Sequence, residues 1–471
     1  MAYFRIDKNI LFLITFWFYS CATHSTLFDN HGENVLKKSI NALIINSGLD
    51  VNMSIKVTSL ESGATLYSLN SNKKLIPASN NKLYTCAASL ANLGAEYTFQ
   101  TSIYESDGNL YLKGGGDPDF SLIELDSLAQ IVSSQIKTID TIFIDESLMD
   151  SLYYGQGWMW DEGSWWYSAP VSAISLNNNC INFFVRPGDL GKAALISTEP
   201  ITNFIKIDNQ SITVNDTIDF KKFKITRDWA NRTNKFTITG EKLINELADT
   251  LVRNIVHPPL FAGTVLKQML IDYGTSVNQV SIGKTSESAV KITTHTSNSL
   301  FYSAKNMMNQ SDNLTAELFV KTIGIKDNLP GNWREGVRKI KSFLADSASI
   351  DTADIRIADG SGMSRYNLTN ANNIIKLLSY MYHSQYKETF LELLSGKGEK
   401  AITLDHQRLH KINPQIFART GTLSGVSCLS GYVFSSNYGP LAFSILMNGY
   451  IGSSSEYRKL QDDILGLFIH D

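Results

Sequence analysis

The two ends of the 471-residue chain mirror each other, and a long segment of different character separates them. Residues 35–46 have helical spacing, and the alternating runs on either side of Gly63 predict a β-hairpin. Near the C-terminus, two further alternating runs (430–436 and 441–450) precede a helical pattern over residues 456–469. These patterns favour one domain of the mixed α/β (α+β) class that is assembled from both termini.

The segment between these ends, residues 95–290, is rich in short alternating runs separated by turn residues, such as KTIDTIFID and KFTITG. This pattern predicts a largely β insertion. We expect the insertion to contain two subdomains, the second at about residues 195–260. Residues 30–94 and 291–471 would then form the domain that carries the two chain ends.

The composition is that of an ordinary soluble globular protein, with 43% hydrophobic and 18% charged residues. The 42 Lys plus Arg do not exceed the 45 Asp plus Glu, so we expect no nucleic-acid partner. The cysteines lack the close pairs that a zinc site or a disulfide scaffold would need. The cysteines are Cys21, Cys86, Cys180 and Cys428. Two polar stretches, near residues 22–34 and 275–300, are interpreted as linkers.

The first 21 residues have the features of a secretory signal peptide. Arg5 and Lys8 precede an uncharged apolar run over residues 10–19, which is shorter than the roughly 20 residues of a membrane-spanning helix. Cys21 follows the small residue Ser20 and resembles a lipoprotein processing site, although the bulky Phe18 and Tyr19 precede Ser20. We therefore expect an exported, periplasmic protein whose only predicted membrane contact is a lipid on Cys21. The alternative is a buried N-terminal strand or helix.

Ser-x-x-Lys spacing occurs several times, and the surrounding pattern singles out one position. The serines with this spacing are Ser71, Ser79, Ser134, Ser281, Ser288 and Ser384. Ser79 alone opens a strongly amphipathic helix, on which Lys82 lies one turn away on the same face. That amine could take the proton of a nucleophilic hydroxyl, and the positive end of the helix dipole would favour the developing alkoxide. The alternative is that Ser79 only caps the helix.

Two later motifs favour the catalytic interpretation. Ser311-Asp312-Asn313 precedes a helical segment, and Arg419-Thr420-Gly421-Thr422 lies on a predicted strand. Ser-x-x-Lys, Ser-Asp-Asn and Lys-Thr-Gly, in this order, are the three motifs of penicillin-binding proteins and serine β-lactamases. Taken singly, Ser311 could cap its helix and Gly421 could serve a β-bulge, but the ordered set is hard to reach by accident.

The chain resembles the S13 D-alanyl-D-alanine carboxypeptidase/endopeptidases, which are low-molecular-mass penicillin-binding proteins of class C. The resemblance spans about residues 35–470 and includes the long insertion between the first two motifs. The segments that carry it are IPASNNKLYT, GGGDPDF, APVSAISLN, SDNLTAEL, DGSGMSRYN and RTGTLSGVSCLSGYV. The resemblance implies a penicillin-binding-protein/serine β-lactamase-like transpeptidase domain, with an antiparallel sheet flanked by helices. It also implies covalent inhibition by β-lactams.

By this resemblance, the chemistry is acyl transfer on peptidoglycan stem peptides and cross-links, without a metal or an organic cofactor. Ser79 would attack the carbonyl carbon and form an acyl-enzyme. Lys82 would be the general base, which requires a neutral amine. Ser311 would relay the proton to the leaving amine, and Asn313 would hydrogen-bond Lys82 and the substrate amide. The backbone N–H groups of Ser79 and Thr422 would form the oxyanion hole.

The third motif, which includes Gly421, is expected to bind the terminal carboxylate of the substrate through Thr420 and Thr422, beside the cation at Arg419. The family usually has Lys at this position. Arg keeps the charge and can hold a carboxylate in a bidentate fork, but it cannot release a proton near neutrality. Activity should survive if the cation anchors the carboxylate and tunes Lys82, which is the outcome we favour. It would suffer if a proton had to pass through the guanidinium.

Two further residues are expected near the acyl side chain of the substrate. Arg365 is similar to a family arginine near that pocket, although its segment could be a structural turn. Glu162, beside Asp161, stands where some family members place an acidic residue to meet the amine of a diamino acid. The neighbouring aromatic residues could line the cleft or pack within the insertion. These are Trp158, Trp160, Trp165, Trp166 and Tyr167.

Two other interpretations of the same residues stay open. Arg419 could have disabled turnover and left a non-catalytic protein that binds wall peptides. The fold could instead serve a β-lactamase or an esterase that releases its acyl group quickly. The sequence also leaves open the balance of carboxypeptidase and endopeptidase action, the diamino acid of the stem peptide, and the formation of a homodimer.

Overall fold

The computed structural model describes residues 26–216, 220–327, 329–394 and 404–469. The helices are α1 (Thr26–Asn46), α2 (Lys82–Leu93), α3 (Leu122–Gln135), α4 (Pro258–Asp272), α5 (Leu300–Gln310), α6 (Asn313–Ile323), α7 (Trp333–Asp346), α8 (Ala371–His383), α9 (Lys387–Leu394), α10 (Leu404–Ile412) and α11 (Ser455–Gly466). The strands are β1 (Asn52–Ser59), β2 (Thr65–Leu69), β3 (Thr98–Ser106), β4 (Asn109–Lys113), β5 (Thr138–Asp145), β6 (Cys180–Arg186), β7 (Leu195–Glu199), β8 (Lys206–Asn209), β9 (Ile212–Val214), β10 (Lys224–Arg227), β11 (Lys235–Thr239), β12 (Glu241–Leu243), β13 (Asp249–Asn254), β14 (Ser276–Ile282), β15 (Val290–Ser299), β16 (Ile416–Leu423), β17 (Val426–Ser435) and β18 (Gly439–Asn448).

The first sheet is built from both ends of the chain, as the mirrored patterns predict. Its strand order is β16-β17-β18-β1-β2, and every neighbouring pair is antiparallel. Because side chains alternate along a strand, β18 contributes to two cores. Phe443 and Ile445 join the core that contains α1 and α11, whereas Ala442 and Leu446 join the core that contains α2, α6 and α8. Helices therefore cover both faces of an antiparallel sheet, which confirms the predicted fold class.

The helix α2 lies inside one of these cores. Its apolar residues Leu83, Cys86 and Leu90 are buried, as their helical spacing predicts. The helix ends at Gly94, whose φ of 88° is a conformation that glycine adopts readily. A short 3-10 turn, Ala78–Asn81, precedes α2 and leads the chain into it.

The inserted segment contains a second sheet, with the strand order β14-β5-β4-β3-β15. β3 and β15 are antiparallel neighbours, so the insertion leaves and rejoins the rest of the chain on adjacent strands. The helices α3 and α4 pack on this sheet, and Leu128, Ile142 and Leu266 share its core. Three smaller sheets, β10-β11-β8, β12-β9 and β13-β6-β7, complete the insertion. The proposed division into domains at residues 94 and 290, and into two subdomains, stays a prediction.

The two stretches predicted as polar linkers are wrong where the structure describes them. Residues 26–34 begin α1, and much of 275–300 forms β14 and β15. These strands are the two edges of the second sheet. Most side chains of these two strands are exposed or half-buried, so the strands need few apolar residues and their sequence looks like that of a linker.

None of the described helices is long and apolar enough to cross a membrane. Cys86, Cys180 and Cys428 are buried and unpaired. Burial raises the pKa of the Cys86 and Cys428 thiols to about 12, so they stay protonated near neutrality. The predicted signal peptide, residues 1–21, and its Cys21 lie outside the described residues.

Candidate active site

Ser79 lies in the 3-10 turn before α2 and is half-buried. The preceding Ala78 has a φ of 47°, so the regular helix begins only at Lys82 and not at Ser79. Neither the turn nor α2 has a side-chain cap, so the alternative that Ser79 serves as the helix cap is wrong. A Cβ added to Gly362 would lie 1.9 Å from the Ala78 carbonyl oxygen, so the 359–367 loop fits tightly against this turn.

Lys82 is fully buried, and its Nζ lies 3.3 Å from Ser79 Oγ. Nζ donates to Asn313 Oδ1 at 2.6 Å and to the Ser361 carbonyl oxygen at 2.8 Å. Burial, together with the nearby Arg419 guanidinium, lowers the pKa of Lys82 to about 7. A neutral amine has two N–H groups, which these two oxygens accept, and a lone pair, which remains for the Ser79 hydroxyl. The geometry therefore suits Lys82 as a proton acceptor.

Ser311 follows α5 in the left-handed conformation, with a φ of 60°. Its hydroxyl donates to Ser79 Oγ at 3.2 Å. Arg419 donates to Ser311 Oγ through Nη2 and to the Met308 carbonyl oxygen, at 2.9 Å, through Nη1. The cap of α6 is Asp312, whose carboxylate accepts two backbone N–H groups, so the alternative that Ser311 caps that helix is wrong. Ser79 Oγ thus lies between an amine and a hydroxyl.

Asn313 is the first residue of α6 and is buried. While its Oδ1 accepts from Lys82, its Nδ2 donates to the Tyr167 carbonyl oxygen at 2.9 Å. The Met363 sulfur lies 3.7 Å from the same Nδ2. Asn313 therefore joins the lysine to two other segments of the chain, one from the insertion and one from the 359–367 loop.

The strand β16 brings the third motif against the turn that holds Ser79. Asn80 Nδ2 donates to the Arg419 carbonyl oxygen at 2.8 Å. A Cβ added to Gly421 would lie 2.7 Å from the Pro77 carbonyl oxygen, so the strand can approach the turn only with glycine there. The pairing of β16 with β17 is regular throughout, so the alternative that Gly421 serves a bulge is wrong.

The two threonines of the third motif share one face of β16, because they are two residues apart. Thr420 is half-buried and Thr422 is exposed. Thr422 Oγ1 accepts a hydrogen bond of 3.4 Å from Arg458 Nη2. Their proposed contacts with a substrate carboxylate, and the oxyanion role of the Thr422 N–H, stay predictions.

A buried carboxylate that the sequence analysis missed, Glu317, holds the 359–367 loop. It accepts from the backbone N–H groups of Gly360 and Ser361, both at 2.8 Å, and from Trp333 Nε1 at 2.7 Å. Burial raises the pKa of Glu317 to about 7. The available signal was its spacing: Glu317 lies one helical turn after Asn313, on the same face of α6.

Asp359 is a second buried carboxylate that holds the 359–367 loop in place. It accepts from the backbone N–H groups of Gly362 and Ser364, at 2.9 and 2.6 Å. It also accepts from Asn367 Nδ2 at 2.7 Å and from Trp158 Nε1 at 3.0 Å. The loop is therefore held on both sides of Ser361, the residue whose carbonyl oxygen contacts the lysine.

The two residues predicted near the acyl side chain lie outside this hydrogen-bonded cluster. Arg365 is exposed, and its Nη2 donates to the Ser424 carbonyl oxygen, just beyond β16, at 2.9 Å. Glu162 is half-buried and hydrogen-bonded to Tyr167, and this carboxylate adds to burial in raising the pKa of Tyr167 to about 12. Asp161, beside it, is exposed. Their contacts with substrate stay predictions.

The aromatic residues of this segment divide between the two alternatives. Trp158 packs against the core that contains α2, α6 and α8, and it hydrogen-bonds Asp359. Trp160, Trp165 and Trp166 are exposed, and Trp160 is 80% exposed. Packing therefore accounts for Trp158. The other three keep exposed surface but also contact neighbouring rings, Trp160 with Trp229 and both Trp165 and Trp166 with Tyr167.

The chain is similar to known D-alanyl-D-alanine carboxypeptidases over most of its length. It is 29% identical, over 443 residues, to the D-alanyl-D-alanine carboxypeptidase of an Actinomadura species, covering 88% of this chain and 81% of the relative. It is 24% identical, over 401 residues, to D-alanyl-D-alanine carboxypeptidase DacB of Haemophilus influenzae, covering 81% of this chain and 82% of the relative.

The fold is also similar to that of a solved structure. The crystal structure of penicillin-binding protein 4 from Haemophilus influenzae superposes with a TM-score of 0.77, at 20% sequence identity, covering 92% of this chain and 99% of that one. A structure of the same protein in complex with a β-lactam gives a TM-score of 0.74, at 20% identity, covering 92% and 100% of the two chains. This similarity extends across the insertion as well as the first sheet.

The family model of the D-Ala-D-Ala carboxypeptidase 3 (S13) family matches residues 36–468. That range includes all three motifs that meet around Ser79, together with the segment inserted between the first two. The chain therefore belongs to the D-Ala-D-Ala carboxypeptidase 3 (S13) family.

Proposed function

We propose that this protein is a serine-type D-Ala-D-Ala peptidase that acts on peptidoglycan through an acyl-enzyme on Ser79. Its substrates are stem peptides that end in D-alanyl-D-alanine, D-Ala cross-links, or both. The observation that carries the proposal is the position of Ser79 Oγ, 3.3 Å from Lys82 Nζ and 3.2 Å from Ser311 Oγ. Family membership and the similarity to two D-alanyl-D-alanine carboxypeptidases support the same chemistry.

In the proposed acylation, neutral Lys82 accepts the hydroxyl proton of Ser79 while Ser79 Oγ attacks the scissile carbonyl carbon. The backbone N–H groups of Ser79 and Thr422 donate to the oxyanion that forms. Ser311 is the proposed route by which the proton reaches the departing amine of D-alanine. Asn313 holds Lys82 in place during both steps, and water then hydrolyses the ester on Ser79.

Arg419 is compatible with this scheme even though it cannot release a proton near neutrality. Its guanidinium donates to Ser311 Oγ and to a helix carbonyl oxygen. The hydroxyl hydrogen of Ser311 is thereby left to donate to Ser79. No proton needs to pass through the guanidinium, because the amine of Lys82 is itself within reach of Ser79. With Thr420 and Thr422, Arg419 is also the proposed anchor of the terminal carboxylate of the substrate.

The test is the intact mass of the purified protein before and after benzylpenicillin, followed by peptide mapping. A stable one-to-one adduct on Ser79, absent from Ser79→Ala, is the expected result. No adduct on the folded wild-type protein would favour the alternative function, a catalytically impaired protein that binds wall peptides. An adduct that disappears within seconds would favour a β-lactamase. D-Alanine release from a pentapeptide, compared with cleavage of a cross-linked muropeptide, then measures the balance of carboxypeptidase and endopeptidase action.

We also infer that the protein is exported to the periplasm and that Cys21 is lipidated. The basic start, the apolar run over residues 10–19 and the small residue before Cys21 support this inference. Expression of the full chain with labelled palmitate tests it, with Cys21→Ser as the control. Label on the wild type alone is expected. A processed but unlabelled protein would contradict the lipid, and an unprocessed cytoplasmic protein would contradict export as well.

A further inference from the structure

A groove with a volume of about 500 Å³ lies on the first sheet, away from the candidate active site. Its walls come from β1, from the loop after α7 and from α8. No aspartate or glutamate of the described chain contributes to these walls. The polar and basic residues that do contribute include Lys56, Thr58, Ser349, Asn372, Lys376 and His383.

Three strand spacings separate this groove from the catalytic cluster. Lys56 on β1 is paired with Ser444 on β18. Ser430 on β17 is paired in turn with Ser444 and with Arg419 on β16. Neighbouring strands lie about 4.8 Å apart, so the backbone at Lys56 is roughly 14 Å from the backbone at Arg419. None of the groups hydrogen-bonded to Ser79 Oγ lines the groove, so a ligand bound there would leave the site of acyl transfer open.

The two lysines of the groove keep unused donors. Lys56 is half-buried, and its Nζ donates to Asn372 Oδ1 at 2.6 Å. Lys376 is also half-buried, and its Nζ donates to the Ser349 carbonyl oxygen at 2.9 Å. An ammonium group has three N–H donors, and neither lysine has a second hydrogen bond or an ion pair with a described residue. Two donors on each ammonium group are therefore available to a ligand.

The charges of these two lysines lie close together without a compensating carboxylate. Burial and the positive charge of Lys376 both lower the pKa of Lys56, and no carboxylate of the described chain counters them. Like charges repel each other more strongly where they are partly withdrawn from water. An anion bound between the two ammonium groups would offset this repulsion, so the groove is electrostatically suited to a negatively charged ligand.

A hydroxyl group beside Lys56 is also unsatisfied. Thr58 follows Lys56 by two residues on β1, so the two side chains lie on the same face of the strand. Thr58 is 7% exposed, and its Oγ1 is buried without a hydrogen-bond partner in the described part of the chain. Buried polar atoms of folded proteins are usually hydrogen-bonded. The groove therefore combines two under-used ammonium groups with a hydroxyl that lacks a partner.

The kind of donor indicates which anion the groove suits. Its described walls contain lysines and hydroxyl groups but no arginine. The guanidinium fork of arginine matches a planar carboxylate, whereas lysine binds phosphate as a point charge. A phosphate monoester carries nearly two negative charges near neutrality and has three acceptor oxygens, so it can meet two ammonium groups on different elements. Ile375 and Tyr380, which also line the groove, offer apolar surface to the group that carries the phosphate.

We propose that this groove is a binding site for a phosphate group, held by Lys56 Nζ and Lys376 Nζ. The adjoining part of the ligand lies against Ile375 and Tyr380. The site is separate from the active site, and the proposal does not depend on the peptidase function. The phosphate has two candidate sources, a soluble phosphate ester and the headgroup of a membrane lipid. Both present the same charged group to the two lysines, so the experiment must separate them.

The test is isothermal titration calorimetry of the purified protein with inorganic phosphate and with glycerol 3-phosphate, at constant ionic strength. We expect binding at one site, with affinity lowered about tenfold in Lys56→Gln and in Lys376→Gln, the change typical of one charge-assisted hydrogen bond. Acetate, which has a planar carboxylate, should bind more weakly than phosphate. The matched control is Lys224→Gln, which removes an exposed cation from β10 outside the groove and should keep the wild-type affinity.

A second measurement separates the two sources of the phosphate. The protein is sedimented with phosphatidylcholine vesicles that contain or lack phosphatidic acid, and the wild type is compared with Lys56→Gln. This comparison removes any contribution of a lipid on Cys21, which both proteins share. Binding to the phosphatidic acid vesicles that depends on Lys56 assigns the site to a lipid headgroup. Binding of glycerol 3-phosphate without such vesicle binding assigns it to a soluble ester.

Three results would overturn the site. The first is an absence of phosphate binding by the folded wild type, and the second is equal affinity in the wild type and the two groove variants. The third is binding of inorganic phosphate without binding of the ester or the vesicles, which would mean an adventitious ion only. Circular dichroism should show that all variants fold, and Lys376→Gln alone decides the question if Lys56→Gln does not.

Discussion

The catalytic cluster around Ser79 and a cavity of about 230 Å³ in the insertion, whose walls include Trp160, Arg227 and Arg232, use charged side chains in opposite ways. In the cluster, Lys82 gives its two N–H groups to defined oxygens, and Glu317 accepts from three donors. In the cavity, Arg227 Nε has no partner among the described residues, and Arg232 projects an exposed, unpaired charge. The hydrogen bonds of the first region are made within the protein, whereas the second region keeps donors that have no partner among the described residues.

This difference predicts how strongly each region responds to substitution. A buried charged group that loses its partners carries a large desolvation penalty, so changes in the cluster should disturb both chemistry and stability. An exposed side chain contributes little to the folded state. Changes at the rim of the cavity should therefore leave folding and acylation by β-lactams intact.

The largest effect is expected from Lys82→Met, which keeps most of the side-chain volume but removes the proton acceptor. Acylation by benzylpenicillin should slow by about 10²- to 10⁴-fold, the usual contribution of a general base. Stopped-flow or mass-spectrometric acylation rates measure this, with circular dichroism to verify the fold. A folded Lys82→Met protein that acylates at the wild-type rate would show that another group is the base.

The next effect is expected from Glu317→Gln. The amide nitrogen of Gln cannot accept, so one of the three donors around it loses its partner, at a cost of about 1–3 kcal/mol in unfolding free energy. The Ser361 carbonyl oxygen should also move away from Lys82 and slow acylation. Urea denaturation and acylation rates measure the two effects. The control Glu335→Gln, at the start of α7, should leave acylation unchanged; equal behaviour of the two variants would contradict this role of Glu317.

A smaller effect is expected from Gly421→Ala, which separates the third motif from the Ser79 turn. The added Cβ meets the Pro77 carbonyl oxygen, so the strand must shift, at a cost of about 1–3 kcal/mol. Gly48→Ala is the control for backbone strain alone, because Gly48 has a positive φ, unlike Gly421, and open space around it. Both variants should be less stable by thermal denaturation, and only Gly421→Ala should acylate slowly. Wild-type acylation by Gly421→Ala would refute a tight fit between strand and turn.

Arg232→Gln should have the smallest effect on the two quantities that do not depend on the cavity, the unfolding free energy and the rate of acylation by benzylpenicillin. Its unfolding free energy should stay within about 0.5 kcal/mol of the wild type. Acylation by benzylpenicillin should also be unchanged, because Arg232 is exposed and is not among the groups hydrogen-bonded around Ser79. Denaturation and acylation measurements test this directly. A large loss in either would mean that Arg232 belongs to the organised part of the molecule, and the contrast between the two regions would fail.

The sequence predicted the meeting of the three motifs because each motif joins a local spacing to one kind of element. Ser79 and Lys82 are one turn apart, Asn313 begins a helix, and Arg419 lies on a strand of the sheet built from both termini. The structure brings them together with Ser311 around one hydroxyl. Their catalytic roles stay predictions until the variants are measured.

Other features depended on contacts that local sequence does not encode. Glu317 has the spacing of any polar helical residue, and its burial follows from the packing of α6 against the 359–367 loop. The polar edge strands β14 and β15 show no clear alternation, because most of their side chains are exposed or half-buried on both faces. The cavity joins Trp160 to Arg227 and Arg232, residues far apart in the chain, and no periodic pattern connects them.

The pH dependence of benzylpenicillin acylation tests the central claim, that neutral Lys82 activates Ser79, most directly. The pKa of Lys82 is lowered to about 7, so the amine is protonated below that pH and cannot accept the proton of Ser79. The second-order acylation rate should therefore be level above about pH 7 and fall about tenfold per pH unit below it. A rate that is constant from about pH 5 to about pH 9, or that still rises near the ordinary lysine pKa of about 10.4, would contradict the claim.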